Sequence, residues 1–587
     1  MPQYYLALVT DKKYWGNNKN LIIIHQSIID HNNYFSNNYF SRNNFNIRFI
    51  PRLTKNKQDK YIKNVDFFVK KKFLIYKKQL ISILNRYHNI SNNHKYWDKI
   101  IASWLFDVIT VIKFRFDDLS FVKKKVKNNY FLCESDEKFN YINNSYDFFS
   151  AISESSKINH FLYLKIADIL KIKKKIIYNN SEVEKWHISN AINFKNFFIF
   201  ITFYFYNLYV KFFKPIILID SYFCFRDKIK IIFLSKGKIL FPKSSYFFQN
   251  NLNAAIDKQI RSKIQINEQD LFDKTFNSLL PFLIPMSFLE NFNLIRSSIL
   301  NYSKNINIIG SAVCFYSSDC YKILTAEMLK YKKKPLIFAH GHSDKLSIYD
   351  SKFNFELKNI SKHIAWNDKN GFGVSNLRRL NNYSSSSGPK KFITLFTTTT
   401  YKYFFKILFP IKVNNHKEVL NENINFYICL KKNIKSKFLL KPHLDMWCKE
   451  KEIWYRKFGK ELNINLSVKS KNVINQSKII VTGYISVSTF ESLYLDKPTI
   501  IFCNLDDYFF KKEHLFFFKK LSNAKILHKN AHQAANFIND NYSDIERWWQ
   551  SKQVRDVIYI IKNKYCVDND KFSESLINCL IYKKFKS

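Results

Sequence analysis

Apolar residues recur along this chain in two rhythms. Short runs rich in Ile, Val, Leu and Phe lie at Tyr4 to Val9, Leu21 to Ile24, Pro215 to Ile219, Asn307 to Ile309, Leu336 to Ala339, Phe392 to Phe396, Phe438 to Leu440 and Ile479 to Val481. Tyr4 to Val9 and Leu21 to Ile24 read as short apolar runs between Asn/Lys loops, and the runs from Pro215 onward read as buried strands. The second rhythm is helical. Trp97, Ile101, Trp104, Leu105, Val108 and Ile112 keep three- and four-residue spacing and predict a long core helix from Trp97 to Phe116. Around Gly310 the order is strand, helix capped by Ser318-Asp319 and carrying Tyr321, Leu324 and Met328, then strand. From Lys478 to Phe502 it is again strand, hydroxyl-rich loop, helix, strand. That alternation predicts an α/β fold built on parallel sheets.

The Ser/Gly/Pro cluster from Asn381 to Pro389 punctuates the chain as nothing else does. It predicts a linker at 381–391 between an N-terminal α/β lobe with helical insertions (1–380) and a second α/β lobe (392–545), followed by C-terminal helices (546–587). Ser543 to Glu546 reads as a capping box opening the last of these regions, with Trp548 and Trp549 as packing residues. The aromatic stretch from Asn196 to Phe213 is interrupted by Asn207 and Lys211 and falls short of the roughly 20 apolar residues a membrane span needs. It reads as a buried helix or strand, with an interfacial helix edged by Lys211 and Lys214 as the functional alternative.

Composition narrows the function classes. The 587 residues carry 94 Lys and Arg against 47 Asp and Glu, a net charge of +47. Such a balance ordinarily points to nucleic acid or an anionic membrane. Here the cations are overwhelmingly Lys, accompanied by abundant Asn, Ile, Phe and Tyr and only 9 Gly, the pattern of an AT-rich coding sequence. No module of clustered Arg and aromatic platforms is present, so no specific nucleic acid is expected as partner. Nine cysteines in no metal-ligand spacing read as reduced thiols. The N-terminus has too short an apolar run for a signal peptide, and a cytoplasmic protein, with peripheral membrane contact as an option, is expected. Asp568-Asn569-Asp570 reads as a turn. No metal and no cofactor are expected.

Candidate chemistry gathers at strand ends, where open parallel sheets bind ligands. After Val481 come Thr482, Gly483, Ser486, Ser488 and Thr489, and then a helix. Its N-terminal amides and partial positive charge suit phosphate, while a side chain one turn in meets a sugar. Ser488 to Glu491 also reads as a capping box, which requires no ligand. After Leu440 come Lys441, Pro442 and His443, placed to meet phosphate as point charge and hydrogen-bond donor. After Phe396 comes the hydroxyl run Thr397 to Thr400. After Ala339 come His340, Gly341 and His342: a histidine there can take a proton from an acceptor hydroxyl, or simply bond a neighbouring carbonyl.

His340-Gly341, Lys441-Pro442-His443 and the run from Val481 to Leu493 with Lys497 to Phe502 resemble the ordered landmarks of GT-B-type transferases. The architectures they resemble are the CDP-glycerol glycerophosphotransferases and the bacterial capsule Kdo transferases. More closely, Tyr96 to Leu105, Ala524 to Ala535 and Asp544 to Trp549 are similar to a family of surface-carbohydrate (O-antigen) biosynthesis transferases, and that similarity spans nearly the whole chain. The resemblance implies two Rossmann-like lobes facing a central cleft, with a C-terminal helix crossing back. It implies transfer of a sugar from a nucleotide-activated donor to a glycan or lipid-linked acceptor. His340 and His443 would be catalytic, with Gly341, Lys441, Thr482, Ser486, Ser488, Thr489 and Glu491 on the donor, Glu491 at its ribose. Glycerophosphotransferases usually read Thr-Asp-Tyr-Ser-Ser where this chain has Thr482-Gly483-Tyr484-Ile485-Ser486. The departure favours a sugar donor over glycerol phosphate. A glycerophosphate or polyol-phosphate transferase on the same scaffold, and a basic nucleic-acid binder, are the alternatives.

Overall fold

The computed structural model describes residues 3–582 apart from 16–18, 26, 30–31, 33–38, 54, 127–129, 135–138, 177–194, 249–253, 340–345, 350–354, 356, 359, 366–389, 399–401, 404–415, 444–449, 467–469 and 567–570. His340, Gly341, His342, most of the expected linker and the Asp568 to Asp570 turn lie outside the described residues.

Strands and crossover helices alternate as the hydrophobic rhythm requires, and every strand pair is parallel. The strands form three sheets, so the region expected to be one lobe holds two. In the first sheet, β1 (Tyr4–Ala7), β2 (Asn20–Ile23), β3 (Asn46–Phe49), β4 (Tyr130–Glu134) and β5 (Lys174–Ile176) lie in the order β3-β2-β1-β4-β5. In the second, β6 (Ile216–Ile219), β7 (Ile239–Leu240), β8 (Ile308–Ser311), β9 (Leu336–Phe338) and β10 (Lys362–Ile364) run β10-β9-β8-β6-β7. In the third, β11 (Phe392–Phe396), β12 (Phe438–Lys441), β13 (Ser477–Thr482), β14 (Thr499–Phe502) and β15 (Leu527–His528) run β12-β11-β13-β14-β15. The first order is Rossmann-like and the other two are flavodoxin-like, so each sheet has a switch point where crossovers leave in opposite directions.

The helices used below are α1 (Lys55–Tyr87), α2 (His94–Lys125), α3 (Ser145–Glu154), α4 (Ser156–Leu170), α5 (Lys195–Phe213), α6 (Phe225–Leu234), α7 (Asp319–Lys330), α8 (His416–Cys429), α9 (Val487–Tyr494), α10 (Lys552–Ile560) and α11 (Phe572–Leu580). The predicted core helix is α2. Asn93 caps it by accepting from the Tyr96 N–H at 3.1 Å, and Trp97, Ile101, Trp104, Leu105, Val108 and Ile112 are all buried. Its apolar surface joins one continuous core that reaches Leu6 and Ile22 of the first sheet and Ile217, Ile309 and Ile337 of the second. The period-two alternation of strands sends Ile216, Leu218, Leu336 and Phe338 to the opposite face, where α11 covers them with Phe572, Leu576 and Leu580. A C-terminal helix thus crosses back to the second sheet. Gly310 is required in β8 because a Cβ there would stand 3.0 Å from both Leu218 and Phe338.

Two polar seams join the units. Asp319, buried at the start of α7, accepts from the Ser145 N–H at the start of α3 at 2.8 Å, from Ser287 and from Lys322. The Tyr403 hydroxyl, beyond β11, is held by the Thr10 N–H (3.0 Å), Thr10 Oγ1 (2.9 Å) and Ser156 Oγ (2.6 Å) of the first unit. Residues beyond β9 also pair with residues beyond β14, Ile348 N donating to Phe509 O and Lys511 N to Leu346 O, each at 2.8 Å.

Three local expectations are corrected. The capping box before α9 is set two residues earlier than Ser488 to Glu491: Ser486 is the N-cap, and its N–H donates to Thr489 Oγ1 at 3.2 Å. Thr489 reaches its N-cap because its short hydroxyl sits three residues on, which places Glu491 in the second turn. The box from Ser543 to Glu546 does not form. Asp544 is the N-cap of a five-residue helix, Ile545–Trp549, without a side-chain bond, and Ser543 Oγ turns to Asp544 at 3.3 Å. The aromatic stretch 196–213 is helical, as α5, but not fully buried. Val210 and Tyr206 face the core while Tyr204, Phe205, Leu208, Phe212 and Phe213 are exposed.

Burial holds His88 and His528 neutral, each pushed down to about 4 from the usual 6.5. A histidine whose folded value lies below its unfolded one leaves stability intact above about pH 6.5. As the pH falls from 6.5 toward 4 the unfolded chain takes up the proton and the folded one does not. Each should cost about 2–3 kcal/mol by pH 4.5. Denaturant titrations at pH 7.5 and 4.5 are expected to show this loss, reduced in His88→Gln, which keeps a donor for the Phe288 carbonyl that the imidazole meets at 2.9 Å.

Candidate functional site

The third sheet places its switch point between β11 and β13, and the expected donor residues gather there. Register makes them level. Phe396, the last residue of β11, pairs with Lys441 on one side and Thr482 on the other. Three loops therefore leave the same edge side by side.

One residue, Thr397, ties them together. Its Oγ1 donates to Glu450 Oε2 at 2.6 Å and accepts from the His443 N–H at 3.3 Å, and its carbonyl accepts from the Tyr484 hydroxyl at 3.1 Å. Burial pushes the Tyr484 phenol up, so it stays a donor. Within the third loop, Thr489 Oγ1 donates to Tyr484 O (3.1 Å), accepts from Ser486 N and meets Thr482 Oγ1 at 3.2 Å. Both threonines are buried. Their hydroxyls brace the loop itself, and Ser486 and Ser488 remain half-buried at the mouth of α9.

Lys441 is the unusual charge. It is 5% exposed, and its Nζ is 3.4 Å from the carbonyl of the next residue, Pro442; among the described residues no carboxylate lies within ion-pair distance. Burial lowers its pKa. A buried cation without a carboxylate is costly unless something anionic meets it. His443, next to it, is exposed.

Glu491, in the second turn of α9, is buried, and its charge acts on the Tyr484 phenol of the same loop. Burial pushes the Cys566 thiol up and the Glu491 charge adds to it, so the carboxylate lies beside the segment that follows α10.

On the other flank of Gly483 opens a cavity of about 470 Å³, walled by Phe502, Cys503 and Asn504 after β14, Lys529 and Asn530 after β15, and Glu422 and Asn425 of α8. Gly483 is required where α8 approaches, since a Cβ there would stand 2.0 Å from Asn423 Oδ1. Phe502, Lys529 and Asn530 lie within runs quoted for the resemblance, but none of these wall residues was expected in the site. Glu450 and Tyr484 were missed as well. The only available signal was their position just past strand ends or at a helix start.

The second sheet reaches the same place. Ala339, which follows β9, shares one apolar cluster with Tyr484 and Ile485 of the β13 loop. His340 and Gly341 follow it directly in sequence and lie outside the described residues.

Solved structures overlap this architecture loosely. A Listeria monocytogenes protein assigned as UDP-N-acetylglucosamine 2-epimerase aligns at 9% identity over 63% of this chain and 97% of its own, with a TM-score of 0.36. MnaA of S. aureus, solved with UDP, aligns at 13% identity over 63% and 96% with a TM-score of 0.35. The wall teichoic acid polymerase TagF, soaked with CDPG, aligns at 10% identity over 73% and 98% with a TM-score of 0.32. A sequence search among curated proteins finds no match. The model of one family, described as LIC12162 family transferase, matches residues 4–580. With nearly its whole length inside that match, the chain belongs to the LIC12162 family of transferases.

Proposed function

We propose that this transferase moves a sugar from a nucleotide-activated donor to a glycan or lipid-linked acceptor in bacterial surface polysaccharide (O-antigen or capsule) synthesis. The observation that carries the reading is Lys441, a buried cation without a carboxylate among the described residues, level with Thr482 across β11 at a switch point from which the β13 loop runs into α9. A diphosphate supplies the missing negative charge, with the first-turn amides of α9 and the hydroxyls of Ser486 and Ser488 as donors. Thr482 and Thr489 support this by holding the loop's shape. The nucleoside occupies the 470 Å³ cavity beside Gly483 or the flank that carries Glu491, the carboxylate proposed for the ribose.

In this mechanism the bond between the sugar and the leaving phosphate lengthens, and Lys441 and His443 stabilise the charge that grows on phosphate oxygen. Aligned donors in a water-poor crevice stabilise that charge with little reorganisation. His340, from the end of the second sheet, takes the proton of the attacking hydroxyl, a contribution of roughly 10²- to 10⁴-fold. No metal or cofactor enters the scheme.

A lipid-linked acceptor accords with the outer face of the second unit. Among the described residues of α5, Tyr204, Phe205, Leu208 and Phe212 form one exposed stripe, and α6 exposes Phe225 (79%), Ile229 (50%) and Phe233 (81%) at four-residue spacing. The Tyr209 hydroxyl of α5 donates to Gly237 O just beyond α6 at 2.9 Å, bringing the ends of the stripes together. Lys211, Lys214, Arg226, Lys230, Lys236 and Lys238 lie exposed around them, while Asp220 and Asp227, the acids of this stretch, are not exposed. Aromatic residues within a basic rim suit the surface of an anionic bilayer.

Thermal-shift screening against CMP-, CDP-, UDP- and GDP-linked sugars is expected to single out one nucleotide. Lys441→Met should weaken that ligand at least tenfold without loss of fold, because it also removes an unpaired buried charge. Unchanged affinity in Lys441→Met would overturn the donor site, and a response to CDP-glycerol alone would favour glycerophosphate transfer. In sedimentation with phosphatidylglycerol vesicles the protein should bind and the double variant Phe225→Ser, Phe233→Ser should bind several-fold less. Equal binding by both would remove the membrane face.

A further inference from the structure

The carboxyl edge of the first sheet carries a second cluster that the donor reading leaves unused. Asp118 of α2 is fully buried and takes three donors: Arg52, His25 Nε2 at 3.0 Å and the Tyr163 hydroxyl at 2.6 Å. Burial alone would raise its carboxyl, but Arg52, His25 and Arg115 together outweigh it, and the group is held well below the ordinary carboxylate range. Asp117 is engaged by Lys113 at 2.7 Å and by the Tyr61 hydroxyl at 3.0 Å. Both acids already have close partners.

Arg115 makes no direct ion pair: its charge reaches Asp118, but among the described residues no hydrogen bond joins it to a carboxylate. It is 4% exposed, yet Nε and Nη2 both donate to one neutral oxygen, Asn159 Oδ1, at 3.2 and 2.7 Å, and the guanidinium lies 5.5 Å from the centre of the Tyr163 ring. A guanidinium withdrawn from water in this way is ordinarily matched by a carboxylate or phosphate. Arg115 instead lines a cavity of about 60 Å³, together with His25, Ser27, Arg52, Lys402 and Tyr403. That volume is well below the roughly 300–1,000 Å³ of a whole-ligand pocket and suits one small charged group. Its place beyond the ends of β1, β2 and β3 is where an open parallel sheet binds ligands. Lys402 and Tyr403 come from the far side, from the segment that follows Thr397, and Thr10 and Ser156 hold Tyr403 in position.

We propose that this cavity is an anion site, separate from the donor crevice and independent of the donor assignment, in which Arg115 receives the carboxylate or phosphate of a second substrate. The shared requirement is a compact oxyanion borne on a larger body that remains outside. Because the wall made by Lys402 and Tyr403 continues from Thr397, occupancy here bears on the strand end that organises the donor crevice.

Titration calorimetry of the full chain at constant ionic strength, with inorganic phosphate and with glucuronate, tests the assignment. The wild-type protein should bind at least one of them, and Arg115→Met should bind it about ten- to a hundredfold more weakly. With glucuronate, which brings no phosphate for the donor crevice, Lys441→Met should retain wild-type affinity, and with phosphate the Arg115-dependent component of binding should persist in Lys441→Met, which distinguishes the two sites. Binding of glucuronate points to an acidic sugar, and binding of phosphate alone to a phosphorylated substrate. If Arg115→Met does not fold, Lys402→Ala at the cavity wall takes its place and should weaken binding several-fold. No binding of either probe to the wild type, or wild-type affinity in the variant that folds, overturns the proposal.

Discussion

The geometry of the candidate site depends on how Thr397 is satisfied. One hydroxyl and one carbonyl just past the end of β11, at the switch point of the third sheet, connect three separate segments: the helix start at Glu450, the β12 loop at His443 and the β13 loop through Tyr484. Each of these groups is polar and most are buried, so each must find a partner within the protein. The partners they find are one another. Loops that would otherwise move separately are therefore fixed relative to the sheet edge, and Lys441 is kept in place with a charge that those bonds do not neutralise.

The same logic acts at larger scale. The first and second sheets share one apolar core around α2, whereas the third meets the first through Tyr403 and the second through residues 346–348 and 509–511. Continuous apolar packing resists relative movement of the first two units. The third joins them through these bonds and through smaller apolar contacts, Ala339 and Leu346 lying in its cluster and Tyr403 and Phe509 in the shared core.

Much of this was legible in the sequence. The β-branched runs at 216–219, 308–309, 336–338, 392–396, 438–440 and 479–481 became strands because both faces of a parallel sheet are buried, which makes their apolar runs continuous. The helical spacing of Trp97 to Ile112 marked the core helix for the same reason. The separate first sheet was harder to see. Its strands are short, and β3 is mostly exposed, so it carries no strong hydrophobic rhythm. Cap register escaped as well: Ser486 and Ser488 both satisfy a capping pattern, and the choice was made by the side chain of Thr489, which tertiary packing of the loop positions. At the candidate site, Lys441, Thr482, Ser486 and Thr489 were expected at the ends of strands and the start of a helix, and that is where they lie. The burial of Arg115 was not expected, because a buried arginine on a helix face has no sequence mark.

The return of α11 to the second sheet has a consequence for biosynthesis. On the ribosome, Ile216, Leu218, Leu336 and Phe338 emerge long before Phe572, Leu576 and Leu580, the residues that shield them. The middle of the nascent protein must therefore carry a bare greasy face until translation is almost finished. A premature stop only a few codons upstream of Phe572 would leave both catalytic halves synthesised and yet yield a product marked for chaperones and proteases.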